Sequence, residues 1–364
     1  MRTALICGIF RNQTNSYNDV IRSVKMLGNN TGNLVFSGAL HDQVDYVTDS
    51  WFDLEDYKNR KDIDSGIIPA SNFLCSKYDT LDQIYDDIKD IPFPITLAGL
   101  GAQSETNATN PKEVVAILPD ERKNVMRKIA ERVKSVGVRG EFTAEVLDLI
   151  GVHNYRIIGC PSFYKWKSSR DIRFNSPSDV NVCFTVNMKR RSNYTVLKIG
   201  RRVGATWMMQ GLDEHPELLQ GVDNNEDLEV WVKRAFPLYD EDYHTVIDYI
   251  KTHGQMFLNL KEWKNFYIDN NITFSFGMRF HGNMMSFLSG VPTVWIGHDS
   301  RTRELIKTLH LPMIEYDDLE NYKDIKSIME KCNYSDMKNH YDALLQNYIE
   351  YLDENNISHN LLKK

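Results

Sequence analysis

Along the first half of the chain, apolar residues come in short unbroken runs that alternate with segments where they recur every three or four positions. The short runs fit strands buried on both faces, and the three-to-four spacing fits helices with one buried side. "TALICGIF" reads as a buried strand and "YNDVIRSVKML" as a helix. "NLVFSGAL" and "GIIPASNFLC" read as further strands, "TLDQIYDDIKDI" as a helix opening on a Thr cap, and "FPITLAGLGAQ" as a strand running into a loop. "PDERKNVMRKIAERVK", "SVGVRG", "EFTAEVLDLIGV" and "YRIIGCPSF" continue as helix, strand, helix, strand, with Gly151 ending the second helix. This alternation predicts a mostly parallel sheet covered on both faces.

After Phe163 the texture changes. "KWKSSRDIRFNSPSDV" is polar, basic and turn-rich, and reads as a linker. The alternation then restarts: "NVCFTVNM" and "TWMMQG" as strands, "HTVIDYIKTH" as a helix, "GQMFLNL" as a strand, "KEWKNFYIDN" as a helix. "ITFSFGMRFHGNMMSFLSGVPTVWIGHDSRTREL" adds strand, helix, strand and helix, and the tail from "DLENYKDIKSIMEK" onward is helical. The predicted architecture is α/β. A Rossmann-like domain over 1–165, a linker over 166–178 and a second Rossmann-like domain over 179–316 face each other across a cleft, with C-terminal helices over 317–364.

Bulk properties narrow the partners. At 364 residues and 42% hydrophobic content the chain can build a core in each half. A net charge of −7 gives no electrostatic footprint for nucleic acid, so an anionic ligand needs a local basic cluster. "MRTALICGIF" is too short an apolar run for a membrane span and has no small-residue cleavage site, which leads to the expectation of a cytoplasmic protein. The five cysteines are scattered, without a Cys-x-x-Cys pair, and read as buried free thiols. No HExxH, Asp-x-Asp pair or clustered histidines suggest a metal.

The chemistry concentrates in "FGMRFHGN". Arg279, Phe280, His281 and Gly282 lie where a strand ends and a helix begins, which in a parallel sheet is the ligand-binding edge. A helix start favours anions, a guanidinium fork suits phosphate or carboxylate, and an imidazole can carry a proton near neutral pH. The plainer alternative is a structural ion pair at Arg279 and a core histidine at His281.

"GMRFHGNMMSFLSGVPTVWIGHDSRTRELIKTLHLP" resembles the C-terminal signature of the polysaccharide pyruvyl transferase family, and "SVGVRGEFTAEVLDLIGVHNYRIIGCPSF" resembles a second region of it. "LAGLGAQ" fits the glycine-rich loop that accompanies them. The resemblance implies a GT-B-like pair of domains. It also implies transfer of the enolpyruvyl group of phosphoenolpyruvate onto two sugar hydroxyls as a cyclic ketal, with phosphoenolpyruvate as co-substrate and no cofactor. Arg279 and His281 then contact the donor, with His281 as the acid. A further donor arginine is implied in "FTVNMKRRSN", either Arg190 or Arg191.

Other residues are open to two readings. Arg139, at a strand end, either pairs with Glu141 or Glu145 or reaches a ligand. Gln103 and Ser104 in the glycine-rich loop are candidate sugar contacts, as are His298 and Asp299 after the last strand, where Asp299 also suits a helix cap. Trp166, Trp207 and Trp263 offer rings for sugar stacking, or core. The basic runs "YKWKSSRDIR" and "KIGRRVG" are solvated faces by default; with a lipid-linked acceptor they could rest on a membrane surface. Two alternatives remain: a nucleotide-sugar glycosyltransferase, with Glu304 in a ribose pocket, and a non-catalytic glycan-binding protein.

Overall fold

The structure, a computed structural model, describes residues 1–7, 9, 17–50, 55–103, 110–175, 179–186, 194–221, 243–322 and 324–362. Ser104, Arg190 and Arg191 lie outside the described residues. Two six-stranded parallel sheets organise the chain. The first holds β1 (Thr3–Ile6), β2 (Tyr46–Ser50), β3 (Ser65–Pro69), β4 (Ile95–Leu100), β5 (Val136–Val138) and β6 (Tyr155–Ile157), in the order β2-β1-β3-β4-β5-β6. The second holds β7 (Val182–Thr185), β8 (Thr206–Met209), β9 (Gly254–Met256), β10 (Phe274–Gly277), β11 (Thr293–Gly297) and β12 (Met313–Glu315), in the order β12-β11-β10-β7-β8-β9. These are the two common doubly wound orders. Strand order reverses between β1 and β3 and between β7 and β10, and ligand crevices open at such reversals.

The helices, in chain order, are α1 (Val20–Met26), α2 (Asn33–Gln43), α3 (Thr80–Ile88), α4 (Pro111–Ile117), α5 (Asp120–Ala130), α6 (Glu141–Leu149), α7 (Tyr194–Arg202), α8 (Tyr243–His253), α9 (Leu260–Asp269), α10 (Phe280–Leu288), α11 (Ser300–Thr308), α12 (Ile325–Met329) and α13 (Ser335–Glu354). The predicted α/β pair of domains with C-terminal helices is therefore what the chain forms. β4, β7, β10 and β11 are buried at every position, which is why they read as continuous apolar runs. Among the described residues no helix is long and apolar enough to cross a membrane.

Helices α4 and α7 and strand β12 have no counterpart in the sequence reading, and two further elements depart from it for a visible reason. "NLVFSGAL" is not a strand but helix α2. It packs against α10 and α9 of the second domain as well as β3 of its own. Leu34, Val35, Phe36 and Leu40 are buried around several sides, so the segment has no polar face to reveal a helical period. Gly38 makes the close approach possible, since a Cβ there would overlap Leu260. β2, "YVTDS", escapes notice for the opposite reason. It is an edge strand with Val47 48% exposed, and polar edges are how open sheets avoid further pairing.

One apolar cluster joins the two domains, combining Leu5, Val35 and Ile158 with Met284, Phe287 and Trp295. Trp207 and Trp263 are core residues at 0% and 1% exposure and cannot stack on a sugar. Cys7, Cys75, Cys160 and Cys183 are buried free thiols, and Cys332 is half-buried. Helix α13 returns to the first sheet: Tyr351 Oη donates to Leu97 O at 2.7 Å, and Arg156 pairs with Glu354 at 2.9 Å and Glu350 at 3.0 Å. Along the way Tyr341 Oη donates to Trp166 O at 2.7 Å, and Ser169 N donates to Asp342 at 2.7 Å, which ties down the described part of the segment between the sheets.

Candidate active site

β7 and β10 run side by side with Gly277 paired to Thr185. Gly277 has φ 150° and a Cβ there would overlap the Thr185 backbone, so the close pairing at this strand end requires glycine. Thr185 then fastens the turn into α10. Its carbonyl accepts from Met278 N at 2.9 Å, its hydroxyl accepts from Arg279 N at 3.1 Å, and the hydroxyl proton goes to Asn283 Oδ1 at 2.9 Å. Among the described residues no side chain caps α10, which leaves the positive end of its dipole at the helix start unneutralised by a cap.

This helix start opens onto a cleft of about 770 Å³ between the domains. Arg279, Phe280, His281, His298 and Asp299 line it from the second domain, and Gln103 and Arg139 from the first. Gly282 sits just behind; the space its Cβ would take is filled by Gln210 and Thr185, so the glycine serves protein packing. The sequence reading missed Asn72, Lys77, Gln210, Asp213 and Arg301, which also line the cleft. Asn72 follows β3, and the rule that ligands gather beyond strand carboxyl ends would have found it.

Arg279 is half-buried and ion-paired, as the plainer reading had it. Nη2 reaches Asp213 at 3.2 Å and also bonds Glu214, while Nε donates to Val186 O at 3.1 Å. Burial opposes its charge, but the two carboxylates outweigh that and hold its pKa up. Burial, with Asp213 alongside, pushes Glu214 up to about 7.

His281 is half-buried between Phe36 and Phe280, with ring centroids 5.1 and 5.2 Å away. Its Nε2 lies 3.4 Å from Cys160 Sγ, which lies 3.0 Å from Ser162 Oγ. Burial, then Arg139 and Arg301, lower the imidazole pKa well below its usual value. At neutral pH the imidazole is thus uncharged, rather than the acid poised near neutral pH that the sequence suggested. Burial raises the Cys160 thiol, so it stays protonated and neighbours the ring as a neutral group.

Asp299 does cap α11, accepting from Thr302 N at 2.8 Å, and faces Arg301 at 3.3 Å and His298 at 3.4 Å. Burial would raise it, but Arg301, His298 and the Thr302 N–H outweigh that and keep it ionised. Arg139 pairs with neither Glu141 nor Glu145. Its Nε donates to Gly99 O at 2.9 Å and Nη1 to Asn72 Oδ1, while Asn72 Nδ2 donates to Gln103 Oε1 at 3.0 Å.

Glu304 is no ribose ligand. Its carboxylate accepts from Thr143 N at 2.6 Å and Thr143 Oγ1 at 3.0 Å, which clamps α11 to the start of α6 in the other domain. Burial pushes its pKa up to about 7, against the pull of the Thr143 donors and Arg139. A carboxyl group raised in the folded state contributes stability that is complete below the ordinary pKa near 4.5 and is lost as pH rises through 7. We expect unfolding free energy to fall between pH 5 and 8. In Glu304→Gln that fall should be smaller by about 1–3 kcal/mol, read from urea midpoints at the two pH values.

Lys165, Trp166 and Lys167, from the basic run before the second domain, do not reach this cleft. They line a separate hollow of about 490 Å³ with Leu260, Met285 and Leu288. Among the described residues, one group of side chains has the composition of a metal site, His310, Asp336 and His340. It lies outside the cleft, with His310 bonded to Asp336 at 2.7 Å.

Fold and site together define a two-domain α/β protein with an interdomain cleft at the strand-order reversals, lined by Arg139, Arg279, His281 and Arg301. The sequence model of the family described as polysaccharide pyruvyl transferase matches residues 40–300, and the chain belongs to that family. It is accordingly a transferase, with a sugar or polysaccharide as acceptor. No curated protein matches the chain. Among solved structures, an uncharacterised protein of Klebsiella pneumoniae subsp. pneumoniae aligns with a TM-score of 0.39 and 11% identity, over 80% of this chain and 94% of the other.

Proposed function

We propose that the protein moves the enolpyruvyl group of phosphoenolpyruvate onto two hydroxyls of one sugar, in a polysaccharide or its precursor, as a cyclic pyruvate ketal. The observation that carries this reading is the uncapped start of α10, with His281 in its first turn, facing arginines of both domains across one cleft. Donor phosphate and carboxylate need concentrated positive charge, and a chain of net charge −7 supplies it only locally.

In this scheme the donor's negative charge offsets Arg139 and Arg301, so the His281 pKa rises on binding and the imidazole takes up a proton. His281 then delivers that proton to the methylene carbon, which leaves an oxocarbenium-like centre at C2. The first sugar hydroxyl adds there, phosphate departs, and the second hydroxyl closes the ring. The two hydroxyl protons balance the proton gained by carbon and the one carried off by hydrogen phosphate. Arg279 holds the α10 start in place through Glu214 and Asp213. Gln103, His298 and Asp299, on the cleft walls, are the acceptor contacts in this reading.

Phosphoenolpyruvate at about 100 times its Kd should raise stability by about 2.7 kcal/mol. A thermal melt with phosphoenolpyruvate or a nucleotide sugar reads this directly. Stabilisation by the nucleotide sugar alone would overturn the reading in favour of a glycosyltransferase.

A further inference from the structure

The turn that ends α11 carries an unexpected residue. Leu311 N donates to Ile306 O at 3.0 Å and His310 N to Lys307 O at 3.1 Å, a closed turn in which the first residue past the cap takes a positive φ. At the corresponding turns of other helices glycine or asparagine holds that position, as at Gly151, Gly290 and Asn356. After α11 it is His310, at φ 53°. A Cβ is disfavoured in that conformation, so the chain carries this imidazole at a cost in backbone energy. His310 Nδ1 lies 2.7 Å from Asp336 Oδ2, and His340 Nδ1 lies 3.2 Å from Asp336 Oδ1. The two rings are stacked, with centroids 3.8 Å apart and planes 2° from parallel, and both turn a nitrogen to the same carboxylate. Asp336 and His340 stand one turn apart on α13 and share a face. One ligand atom from each of the three lies within 4.8 Å of the others. In a tetrahedral site with bonds of about 2.0–2.1 Å, ligand atoms stand about 3.3 Å apart, so the measured nitrogen–oxygen separations are already near those of a coordinated set. His340 Nδ1 also lies 2.9 Å from Asp336 O, a contact that a metal would replace. His310 is half-buried and the other two are exposed, which leaves room for that adjustment and for water as a further ligand.

We propose that His310, Asp336 and His340 bind one divalent ion of the zinc class, which fastens the end of α11 to the start of α13. Two imidazoles and one carboxylate suit a borderline-soft cation, whereas magnesium and calcium prefer oxygen ligands throughout. His310 stands 26 residues before Asp336, so no spacing in the sequence announces the set. The role follows from what the two helices carry. α11 begins at the Asp299 cap beside the cleft and holds Glu304 against Thr143 of the other domain. α13 returns to the first sheet through Tyr351 and Arg156. An ion between them braces the far end of α11 without touching the cleft. The site stands apart from the pyruvyl-donor reading, because none of its three residues lines the cleft.

His310→Gly separates the metal from the fold, because glycine removes a ligand and suits the positive φ. Zinc chloride would be titrated calorimetrically into metal-stripped wild type, His310→Gly, His340→Gln and Asp336→Asn, with magnesium chloride as the control, and each protein would be melted with and without zinc. We expect one zinc bound per wild-type chain, a higher melting temperature with zinc, and no response to magnesium. Each substitution should weaken zinc binding at least about tenfold, since losing even a group that only supports a ligand costs about 10–100-fold. Without zinc, His310→Gly should melt close to wild type, and it should lose the rise that zinc gives. Wild type that fails to bind zinc would overturn the site. So would His310→Gly and His340→Gln that bind zinc as tightly as wild type, because the ion would then sit elsewhere.

Discussion

His281→Ala is expected to lower turnover about a thousandfold, within the usual range for loss of a general acid, while phosphoenolpyruvate affinity changes only a few-fold. The split follows from geometry. The ring is half-buried between Phe36 and Phe280 and supplies little of the charge that holds an anion, whereas the arginines and the α10 start supply most of it. A second consequence is more specific. Because burial, Arg139 and Arg301 lower the imidazole pKa, the proposed acid would have to be made when the donor arrives. Titrating phosphoenolpyruvate into the protein at pH 7.5, in buffers of different ionisation enthalpy, should show uptake of close to one proton in wild type and none in His281→Ala. Equal proton uptake in both proteins would assign the proton to another group.

The largest effect on stability is expected from Arg279→Met. Glu214 is 0% exposed and its carboxylate is held by Arg279 and by the Gln210 N–H at 2.7 Å. Removing the arginine leaves two carboxylates, Glu214 and Asp213, without their shared cation. Breaking a buried pair from one side typically costs about 3–5 kcal/mol. The double variant Arg279→Met/Glu214→Gln should recover a good part of that, since no buried charge is then stranded. Urea unfolding of the two variants measures the difference. If Arg279→Met unfolds at the wild-type midpoint and only loses donor affinity, Arg279 is a binding residue first and its ion pairs matter little.

That second result bears on what the sequence could show. The Arg279–His281 motif stood out because it combines a strand end, a helix start and a glycine, and the structure does place it at the β7/β10 reversal. Its electrostatics were not legible. Glu214, the partner that neutralises Arg279, lies 65 residues away in a short acidic turn with no periodic pattern. Arg139 showed the reverse problem. Glu141 and Glu145 are close in sequence and make an ion pair the natural expectation, yet the chain turns at Gly140 and the guanidinium points back along the sheet edge to Gly99 and Asn72. Most of the alternating strands and helices were readable from burial on one face or both, although the amphipathic α7 passed for a basic solvated run. Helix α2, pressed between domains, and strand β2, at an open edge, were not, because their surroundings remove the pattern that burial usually imprints.

The proposed transfer passes an enolpyruvyl group from phosphoenolpyruvate to a sugar within the interdomain cleft. The most direct measurement incubates the protein with phosphoenolpyruvate and a panel of galactose-, glucose- and mannosamine-containing acceptors, following phosphate release and the mass of the acceptor. One phosphate should be released per acceptor modified, with the product heavier by pyruvate less one water. Phosphate release without a heavier acceptor, or a glycosylated product formed only from a nucleotide sugar, would contradict it.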